Sequence, residues 1–498
     1  MNKQYLKYLI RQNRIAYLFF GMLYAGMTLA VFISWRGSQD VLGMLNESLL
    51  IASGLGIVLT YILPAVLLSF VHRRRSADLY FSLPIKRSEL LITTIVFIIG
   101  LIWLYFTVSM TAAFLLAPLM DPLRWAKYVL AMGLIIATLT LYHSALFLVA
   151  NNIFDGVVMI AAYTFFPLVL FLTVEAFTNA TIAGIAGYNL SSGIVELFSP
   201  FALGVNLLTS IVRSYQMLIP VSPVGPLLLV LYAVISALAL RKEFVYRQTE
   251  RAEQVSDGFF SYPFVIHIYA FCILIVLAAH QPSFFYLQSN LVWYLILLMI
   301  YIVAMFVYRR KVQVRLKDLA VYAGGVVLTL LLNYAAWQTH GFGLADHYRT
   351  DVGTNLVYYY YANVDAADLG KLDNYETGRT ANVTVQIKIP LVQKEAYTEV
   401  MELFETKRKE GIDGFYNPRS GYTCTLNVCN ETVYHNGQQT DYITDNDYRY
   451  QIYTPFIEEE LVLLSEYGEI RVYYDRYVDE TTNYEDMTLE QFLERRGN

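Results

Sequence analysis

The sequence predicts a polytopic α-helical membrane protein of about nine spans with a C-terminal α+β domain on the outer side of the membrane. Of its 498 residues, 56% are hydrophobic and only 15% are charged, whereas soluble chains carry about 25% charge. Up to Trp337 there are 22 Lys and Arg against 13 Asp and Glu, and from Gln338 onward there are 14 against 28. A basic membrane region therefore precedes an acidic tail, and this acidity argues against a nucleic-acid surface.

Nine apolar runs, with Glu175 as their one charged residue, are long enough to be spans, since a bilayer crossing needs about 20 residues. They are Ile15–Trp35, Ser48–Val71, Leu91–Ala117, Tyr128–Ala150, Val157–Phe177, Ser222–Leu240, Pro263–Ala279, Asn290–Tyr308 and Leu319–Trp337. The segment Thr178–Met217 is apolar but interrupted by Gly and Pro, so we interpret it as short re-entrant or interfacial pieces. No small-residue cleavage site follows the first run, which we expect to be a permanent anchor.

The basic residues predict the orientation. If the N-terminus lies inside, the inner segments carry 18 Lys and Arg, whereas the outer loops before the tail carry four. This distribution predicts a multi-pass protein of the cell membrane with a cytoplasmic N-terminus and an extracytoplasmic tail. Lys3, Lys7, Arg11 and Arg14 share one helical face, which predicts a helix lying in the inner interface of the bilayer before the first span.

The tail has the pattern β-α-β-β-α-β, which predicts a ferredoxin-like split βαβ unit. Alternation, proline, glycine and turn signals give its elements. These are a strand at Val383–Ile389, a helix from Pro390 to about Glu410, strands at Gly421–Tyr434 and Gln438–Tyr453, a helix from Pro455 to Gly468, a strand at Glu469–Val478 and a last helix near Thr488. Whether Cys424 and Cys429 pair is left open, because their spacing puts them on opposite faces of a regular strand.

The segment between the second and third spans has the most informative pattern. A basic cluster opens it, a short helical piece follows, and Leu83-Pro84 breaks that piece before a second basic pair. Such an element can lie flat on the membrane and present one face to a soluble partner, although the charge alone also fits an ordinary positive-inside loop. The candidate contact residues are Arg73, Arg74, Arg75, Asp78, Leu79, Phe81, Leu83, Pro84, Lys86 and Arg87.

This order of residues resembles the coupling loop of exporter-type permeases, which are the membrane subunits of ATP-binding-cassette transporters. The segment after the sixth span, with Arg247, Glu250 and Glu253, is similar to the end of the six-span unit of that family. Leu197-Phe-Ser-Pro200 is similar to the re-entrant region before its last span. The resemblance implies a six-span permease unit at 1–255, with three additional transmembrane helices at 256–340 and an extracytoplasmic α+β domain at 341–498.

The family implies a permease subunit that exports its substrate or confers resistance to antibiotic peptides. In that family the coupling loop contacts a cytoplasmic ATPase, and a second permease chain, identical or different, completes the machine. The sequence holds no Gly-x4-Gly-Lys-Ser/Thr loop to hold a nucleotide phosphate. We therefore expect ATP to bind a separate subunit, and this chain to be no enzyme and to bind no cofactor.

Three other function classes have weaker support. A membrane sensor or scaffold, whose outer domain binds a ligand, is the main alternative. Ion-coupled transport would use ionisable residues within spans, but His143, Glu175 and His267 are single and fit structural roles better. A membrane glycosyltransferase would need outer acids such as Asp40 and Glu47, and two acids in such a loop are unremarkable. No Cys and His spacing predicts a metal site.

Overall fold

The structure is a computed structural model that describes most of the chain. It covers residues 2–34, 41–116, 122–185, 197–217, 223–255, 261–279, 287–345, 355–365, 380–390, 398–417, 424–433, 442–452, 458–467, 469–478 and 481–487. The predicted last helix near Thr488 and Asp40, predicted to lie in an outer loop, are outside these residues.

Helices dominate the chain up to residue 345. They are Lys3–Gln12 (α1), Arg14–Ser34 (α2), Val41–Leu67 (α3), Arg74–Phe81 (α4), Arg87–Leu116 (α5), Pro122–Val149 (α6), Ile153–Thr181 (α7), Pro200–Met217 (α8), Val224–Val245 (α9), Tyr262–Ala279 (α10), Leu287–Arg309 (α11) and Leu316–Gln338 (α12). Short 3-10 turns occupy Ser69–His72 and Thr249–Arg251.

Among the described residues, nine helices are long and apolar enough to cross a membrane. They are α2, α3, α5, α6, α7, α9, α10, α11 and α12, which confirms the predicted number of candidate spans. The segment predicted to be re-entrant or interfacial contains α8, whose apolar part Pro200–Ile211 is shorter than a span. The chain therefore has the character of a polytopic helical membrane protein.

The chain forms two compact units. The first comprises Met1–Phe171, Ser192–Ala270 and Leu298–Asp318, and the second comprises Leu172–Ser191, Phe271–Leu297 and Leu319–Asn498.

Helix α6 lies at the centre of the first unit. Tyr128, Met132, Ile136 and Leu139 on this helix are fully buried, and they belong to an apolar cluster to which α2, α3, α5, α8 and α9 also contribute. Because lipid is as apolar as these side chains, close packing and hydrogen bonds hold such helices together more than the hydrophobic effect does. Gly56 shows this packing: a Cβ at this position would lie 2.7 Å from the Met132 side chain, so α3 and α6 approach closely there.

Tyrosine hydroxyls add hydrogen bonds between neighbouring helices of the first unit. Tyr24 donates to the Ala52 carbonyl at 3.0 Å, Tyr105 to the Tyr17 carbonyl at 2.7 Å and Tyr61 to the Val157 carbonyl at 2.6 Å. Each of these bonds satisfies a polar group that would be costly to leave unpaired in an apolar surrounding.

The second unit contains an antiparallel sheet with the strand order β1-β5-β4-β2-β3-β6-β7. Its strands are Gly184–Ile185 (β1), Asn355–Asp365 (β2), Thr380–Pro390 (β3), Cys424–Val433 (β4), Tyr442–Ile452 (β5), Glu469–Val478 (β6) and Thr481–Met487 (β7). Two helices accompany them, Thr398–Tyr416 (α13) and Glu458–Tyr467 (α14).

The strand order differs from the predicted ferredoxin-like unit. That unit would place the strand before the first helix beside the strand before the second helix. Here β2, which the sequence analysis did not assign as an element, lies between β3 and β4 and pairs with both of them in antiparallel fashion. Pro390, predicted to open a helix, is the last residue of β3, and the described helix is Thr398–Tyr416, which continues past the predicted end near Glu410. The ferredoxin-like arrangement is therefore wrong for the described strands.

Candidate functional site

The predicted coupling segment forms a compact element between α3 and α5. The 3-10 turn Ser69–His72 leads into α4, which is followed by a turn and the start of α5 at Arg87. The backbone N–H of Ser82 bonds to the Asp78 carbonyl at 3.1 Å and closes α4. Leu83-Pro84 follows this helix end, since proline cannot continue a helix without losing a hydrogen bond.

The inward side of this element consists of packed aromatic rings. Phe70 stacks on Tyr80, with ring centroids 4.2 Å apart. Phe81 meets the fully buried Phe244 edge-on, with centroids 5.6 Å apart. The Arg87 guanidinium carbon lies 4.2 Å from the centroid of the Phe81 ring, within the range of a cation–π contact. The Phe81 side chain, predicted as a partner contact, is half-buried and thus holds α4 against the helix bundle.

The outward side of the same element is charged and exposed. Arg73, Arg74, Arg75, Asp78, Pro84 and Lys86 are exposed, and Leu83 is half-buried. Leu79 is a large apolar side chain that remains 63% exposed among these charges. The exposed side of the element thus has one apolar side chain, Leu79, among charged ones.

The N-terminal helix α1 is attached to this element. Tyr5 and Leu9 are buried, while Lys3, Lys7 and Arg11 are exposed, so α1 is amphipathic; Arg14, predicted on the same helix, is the first residue of α2. The hydroxyls of Tyr8 and Tyr80 are 3.0 Å apart, which links α1 directly to α4. Asn2 caps α1 by accepting the backbone N–H groups of Gln4 and Tyr5, each at 3.1 Å.

Arg87 connects the coupling segment to the end of α9. Its Nη1 donates to the carbonyl oxygens of Val245 and Arg247, both at 3.0 Å. The last carbonyls of a helix lack partners within the helix and carry partial negative charge, so a cation at this position stabilises the helix end. The residue expected to contact a partner protein therefore has an intramolecular role: it joins the first turn of α5 to the C-terminal end of α9.

Arg247 makes a similar connection, between the end of α9 and the end of α6. Its side chain is 7% exposed and donates from Nη1 to the Leu148 carbonyl and from Nη2 to the Ala150 carbonyl at 2.8 Å, at the end of α6. Burial lowers the pKa of Arg247 to about 10, which still leaves the guanidinium charged at neutral pH. Its predicted companions Glu250 and Glu253 are exposed, and the Glu253 N–H donates to the Asn151 carbonyl at 2.9 Å.

His72 lies in contact with Arg247 and is only 1% exposed. Its Nδ1 is 3.4 Å from Arg247 Nη2 and its ring meets Phe147 edge-on, with centroids 4.4 Å apart. Burial, together with the nearby Arg247 guanidinium, lowers the pKa of His72 to about 3. The neutral imidazole therefore accepts a hydrogen bond from the cation, and the two side chains link the 3-10 turn before α4 to the ends of α6 and α9.

The sequence pattern included His72 and Phe244 at the edges of the two basic segments but assigned no role to them, and it did not single out Phe70. His72 and Phe70 stand next to the basic cluster and Phe244 just before Arg247, but all three read as ordinary residues at the ends of apolar runs. One sequence signal could have indicated Phe70 and Phe244: each is an aromatic residue at the same end of a span. This signal does not show which rings pack together.

The two histidines within candidate spans, His143 and His267, lie within hydrogen-bond distance of groups on neighbouring helices. His143 Nδ1 lies 3.2 Å from the Thr60 hydroxyl and 3.1 Å from the Thr60 carbonyl. His267 Nδ1 lies 3.0 Å from the Tyr301 hydroxyl. Glu175 is half-buried in α7. In the part of the chain that the structure describes, no group of three or more His, Cys, Asp and Glu side chains is placed to hold a metal ion.

The predicted re-entrant motif Leu197-Phe-Ser-Pro200 marks the start of α8. The Ser199 hydroxyl accepts the Ala202 N–H at 3.2 Å and so caps this helix. The side chains of Cys424 and Cys429 lie outside the described set, although β4 and β5 change register between Val428 and Cys429.

No family model matches the chain, and neither a curated protein nor a solved structure matches it.

Proposed function

We propose that this chain is the permease subunit of an ATP-driven transporter, with its spans forming the pathway and the segment Arg73–Glu89 receiving motion from a separate ATPase. The observation that carries the proposal is the two-sided α4 element. Its inner side is packed on Phe70 and Phe244 and its outer side exposes Leu79 within a cluster of charges. A force applied to this outer side passes into the bundle, because the element has a rigid aromatic attachment.

Two arginines, Arg87 and Arg247, connect the helices through which a motion of α4 would pass in this proposal. Arg87 ties the start of α5 to the end of α9, and Arg247 ties the end of α9 to the end of α6. Helix α6 is the most buried of the nine candidate spans. In this proposal a displacement of α4 passes to Arg87 through the Phe81 ring and then reaches α6 through two hydrogen-bonded steps.

Contacts within the first unit also support the proposed orientation. One apolar cluster contains Tyr5 and Leu9 of α1, Phe70 before α4, and Phe244 at the end of α9. Three of the basic segments that the charge rule assigns to the cytoplasm thus lie at the same end of the unit. In this proposal the cell membrane holds the chain with that end inside, and the strands and helices after residue 345 form an extracytoplasmic α+β domain.

The transport task within this proposal is export or resistance to antibiotic peptides, with a second permease chain completing the assembly. The chain itself performs no catalysis in this reading, and ATP is bound by the partner. A sensor or scaffold remains the alternative. A gene for an ATP-binding-cassette ATPase next to the gene for this chain favours the transporter, and a gene for a histidine kinase without such an ATPase favours the sensor.

The test changes the exposed apolar residue of the element and leaves its attachment intact. Leu79→Asp should detach the ATPase encoded by the neighbouring gene, because a central apolar anchor contributes about 2–4 kcal/mol to the binding free energy of a typical interface. Leu316→Asp is the matched control, since Leu316 is 83% exposed and belongs to another basic segment that the charge rule places inside. Phe81 is unsuitable for this test because its ring packs against Phe244.

The measurement is co-purification of the co-expressed ATPase with each variant at equal membrane abundance, together with its ATP turnover. The proposal expects both quantities to fall for Leu79→Asp and to stay at the wild-type level for Leu316→Asp. If Leu79→Asp retains both, the segment is only a positive-inside loop and the permease proposal loses its support.

A further inference from the structure

The residues just after α12 form a turn with an uncommon backbone conformation. His340, Gly341, Phe342 and Gly343 have φ values of 49°, 64°, 59° and 77°. Consecutive left-handed residues are rare in proteins, because a side chain at such a residue crowds the following carbonyl oxygen. Two of these four residues are not glycine, so the turn is strained and needs contacts that hold it.

Part of that support comes from the end of α12. The Gly341 N–H donates to the Ala336 carbonyl and the Gly343 N–H donates to the Thr339 carbonyl, both at 2.7 Å. The Phe342 N–H donates to the Thr339 hydroxyl at 3.0 Å. These bonds complete the C-terminal end of α12, where a left-handed residue is common but four in succession are not.

The rest of the support comes from Tyr416, the last residue of α13. Its ring stacks on His340, with centroids 4.7 Å apart and an angle of 14° between the planes, and it meets Trp337 edge-on at 5.4 Å. Its hydroxyl donates to the Thr181 carbonyl at 2.9 Å and accepts the Ala183 N–H at 3.3 Å. One side chain therefore contacts the strained turn, α12 and the end of α7.

The end of α7 lies directly against the same turn. A Cβ added to Gly341 would stand 2.7 Å from Ile182 Cγ1, so only glycine fits at this position. Two residues after Ile182 the strand β1 begins, and its residues Gly184 and Ile185 pair with Arg449 and Tyr448 of β5. A shift at the end of α7 is thus transferred within two residues to an edge of the sheet.

We propose that the His340–Gly343 turn is a conformational hinge and that Tyr416 holds it in its strained form. When the Tyr416 contacts are made, the ends of α7 and α12 are joined to α13, and β1 extends the sheet. When they are broken, the turn relaxes and β1 separates from β5. This device connects two candidate spans to the sheet, and it does not depend on whether the spans serve transport or sensing.

The first test measures hydrogen–deuterium exchange of the full-length chain in lipid nanodiscs. Tyr416→Ala should raise exchange in residues 178–185 and 336–345 by roughly tenfold, which is the effect of losing about 1.4 kcal/mol of local stability. Tyr416→Phe retains the ring stacking and loses the hydroxyl, so it should give a smaller increase centred on the Ala183 amide. Tyr334→Phe, on an exposed tyrosine of α12, is the control and should leave both segments unchanged.

The second test examines the strain itself at Phe342, whose side chain is exposed and contributes little packing. Phe342→Asn should slow exchange across the turn, because asparagine tolerates left-handed φ values better than other residues with a side chain. Phe342→Val should accelerate it, because β-branched residues tolerate them least. Equal exchange in the two variants would overturn the hinge. Unchanged exchange at 178–185 in Tyr416→Ala and Tyr416→Phe would overturn the role of Tyr416.

Discussion

Removing the buried Arg247 guanidinium tests whether it fastens the end of α9 to the end of α6. The substitution is Arg247→Met, which keeps much of the side-chain volume and removes the charge. Arg251→Met is the matched control, because Arg251 lies four residues later in the same segment and is exposed. Arg247→Lys is the intermediate case, since a compact ammonium group does not reproduce a planar fork that bonds two carbonyls at once.

The size of the effect follows from the contacts that are lost. Arg247 makes two hydrogen bonds to main-chain carbonyls, and a bond from a charged donor contributes about 1.5–3 kcal/mol. Its charge at the end of α6 adds up to about 2 kcal/mol in a buried setting. These values already include desolvation, and they overlap because they describe the same guanidinium–carbonyl contacts. Methionine also keeps part of the packing of the arginine side chain, so the loss lies near the lower end of their sum. We therefore expect Arg247→Met to lose about 2–3 kcal/mol, and Arg251→Met to stay within about 0.5 kcal/mol of the wild type.

Thermal unfolding of the detergent-purified chain, followed by the loss of its monodisperse elution peak, measures this difference. Arg247→Met should have a midpoint several degrees below that of Arg251→Met, with Arg247→Lys between the two. A midpoint for Arg247→Met equal to that of the control would refute the fastening role. If the proposed function also holds, the Arg247→Met chain should still bind the ATPase through Leu79. Its binding should no longer change the ATP turnover of the ATPase.

Three further outcomes follow from other features. In a cysteine-free background on intact cells, Thr406→Cys should react with a membrane-impermeant thiol reagent and Val312→Cys should not, and the reverse labelling would overturn the orientation. The folded-state pKa of His72 lies below its unfolded value of about 6.5, so stability should fall as the pH drops from about 6.5 toward about 3. His72→Gln should flatten that dependence in chemical denaturation, and an equal slope would contradict it. Asn152→Ala should cost about 1 kcal/mol, because the Asn152 side chain accepts the Asp155 N–H at 2.9 Å and caps α7, and an unchanged unfolding midpoint would contradict this.

The nine candidate spans were predictable from hydropathy, whereas the residues at which their helices begin and end were not. The uncharged run that predicted the third span begins at Leu91, but α5 begins at Arg87. The additional turn is stable because the Arg87 guanidinium is satisfied by carbonyls of α9 and by the Phe81 ring. A charge that ends an apolar run in the sequence can thus continue a helix in the fold when its partner comes from a distant segment.

The candidate site was predictable in its location and only partly in its contacts. Basic residues and Leu83-Pro84 indicated a short helical element between the second and third spans, and the structure has the helix α4 there. Which side of it packs inward depends on Phe244, which lies more than 150 residues away in the sequence. Local periodicity carries no information about such pairs. Leu79 and Phe81, two apolar residues of one short helix, therefore could not be assigned to opposite sides.

The strand order was not predictable for a related reason. The run Tyr358–Tyr361 has the composition of a strand, but composition does not say that β2 enters the middle of the sheet. Each neighbouring pair β2-β3, β4-β5 and β6-β7 is a connection between successive strands, which local signals can suggest. The joining of these pairs through β2-β4 and β3-β6 depends on the packing of the whole region.

The pairing of β1 with β5 also has a consequence for biosynthesis. Ile185 pairs with Tyr448, which the ribosome adds roughly 260 residues later. At about 5–20 residues per second, β1 waits roughly 13 to 50 seconds for its partner. During this interval four further candidate spans must be inserted. Strand β1 can thus join the sheet only after β5 has been synthesised, so a ribosome pause or a truncation before β5 would leave β1 without its partner strand and available to chaperones or proteases.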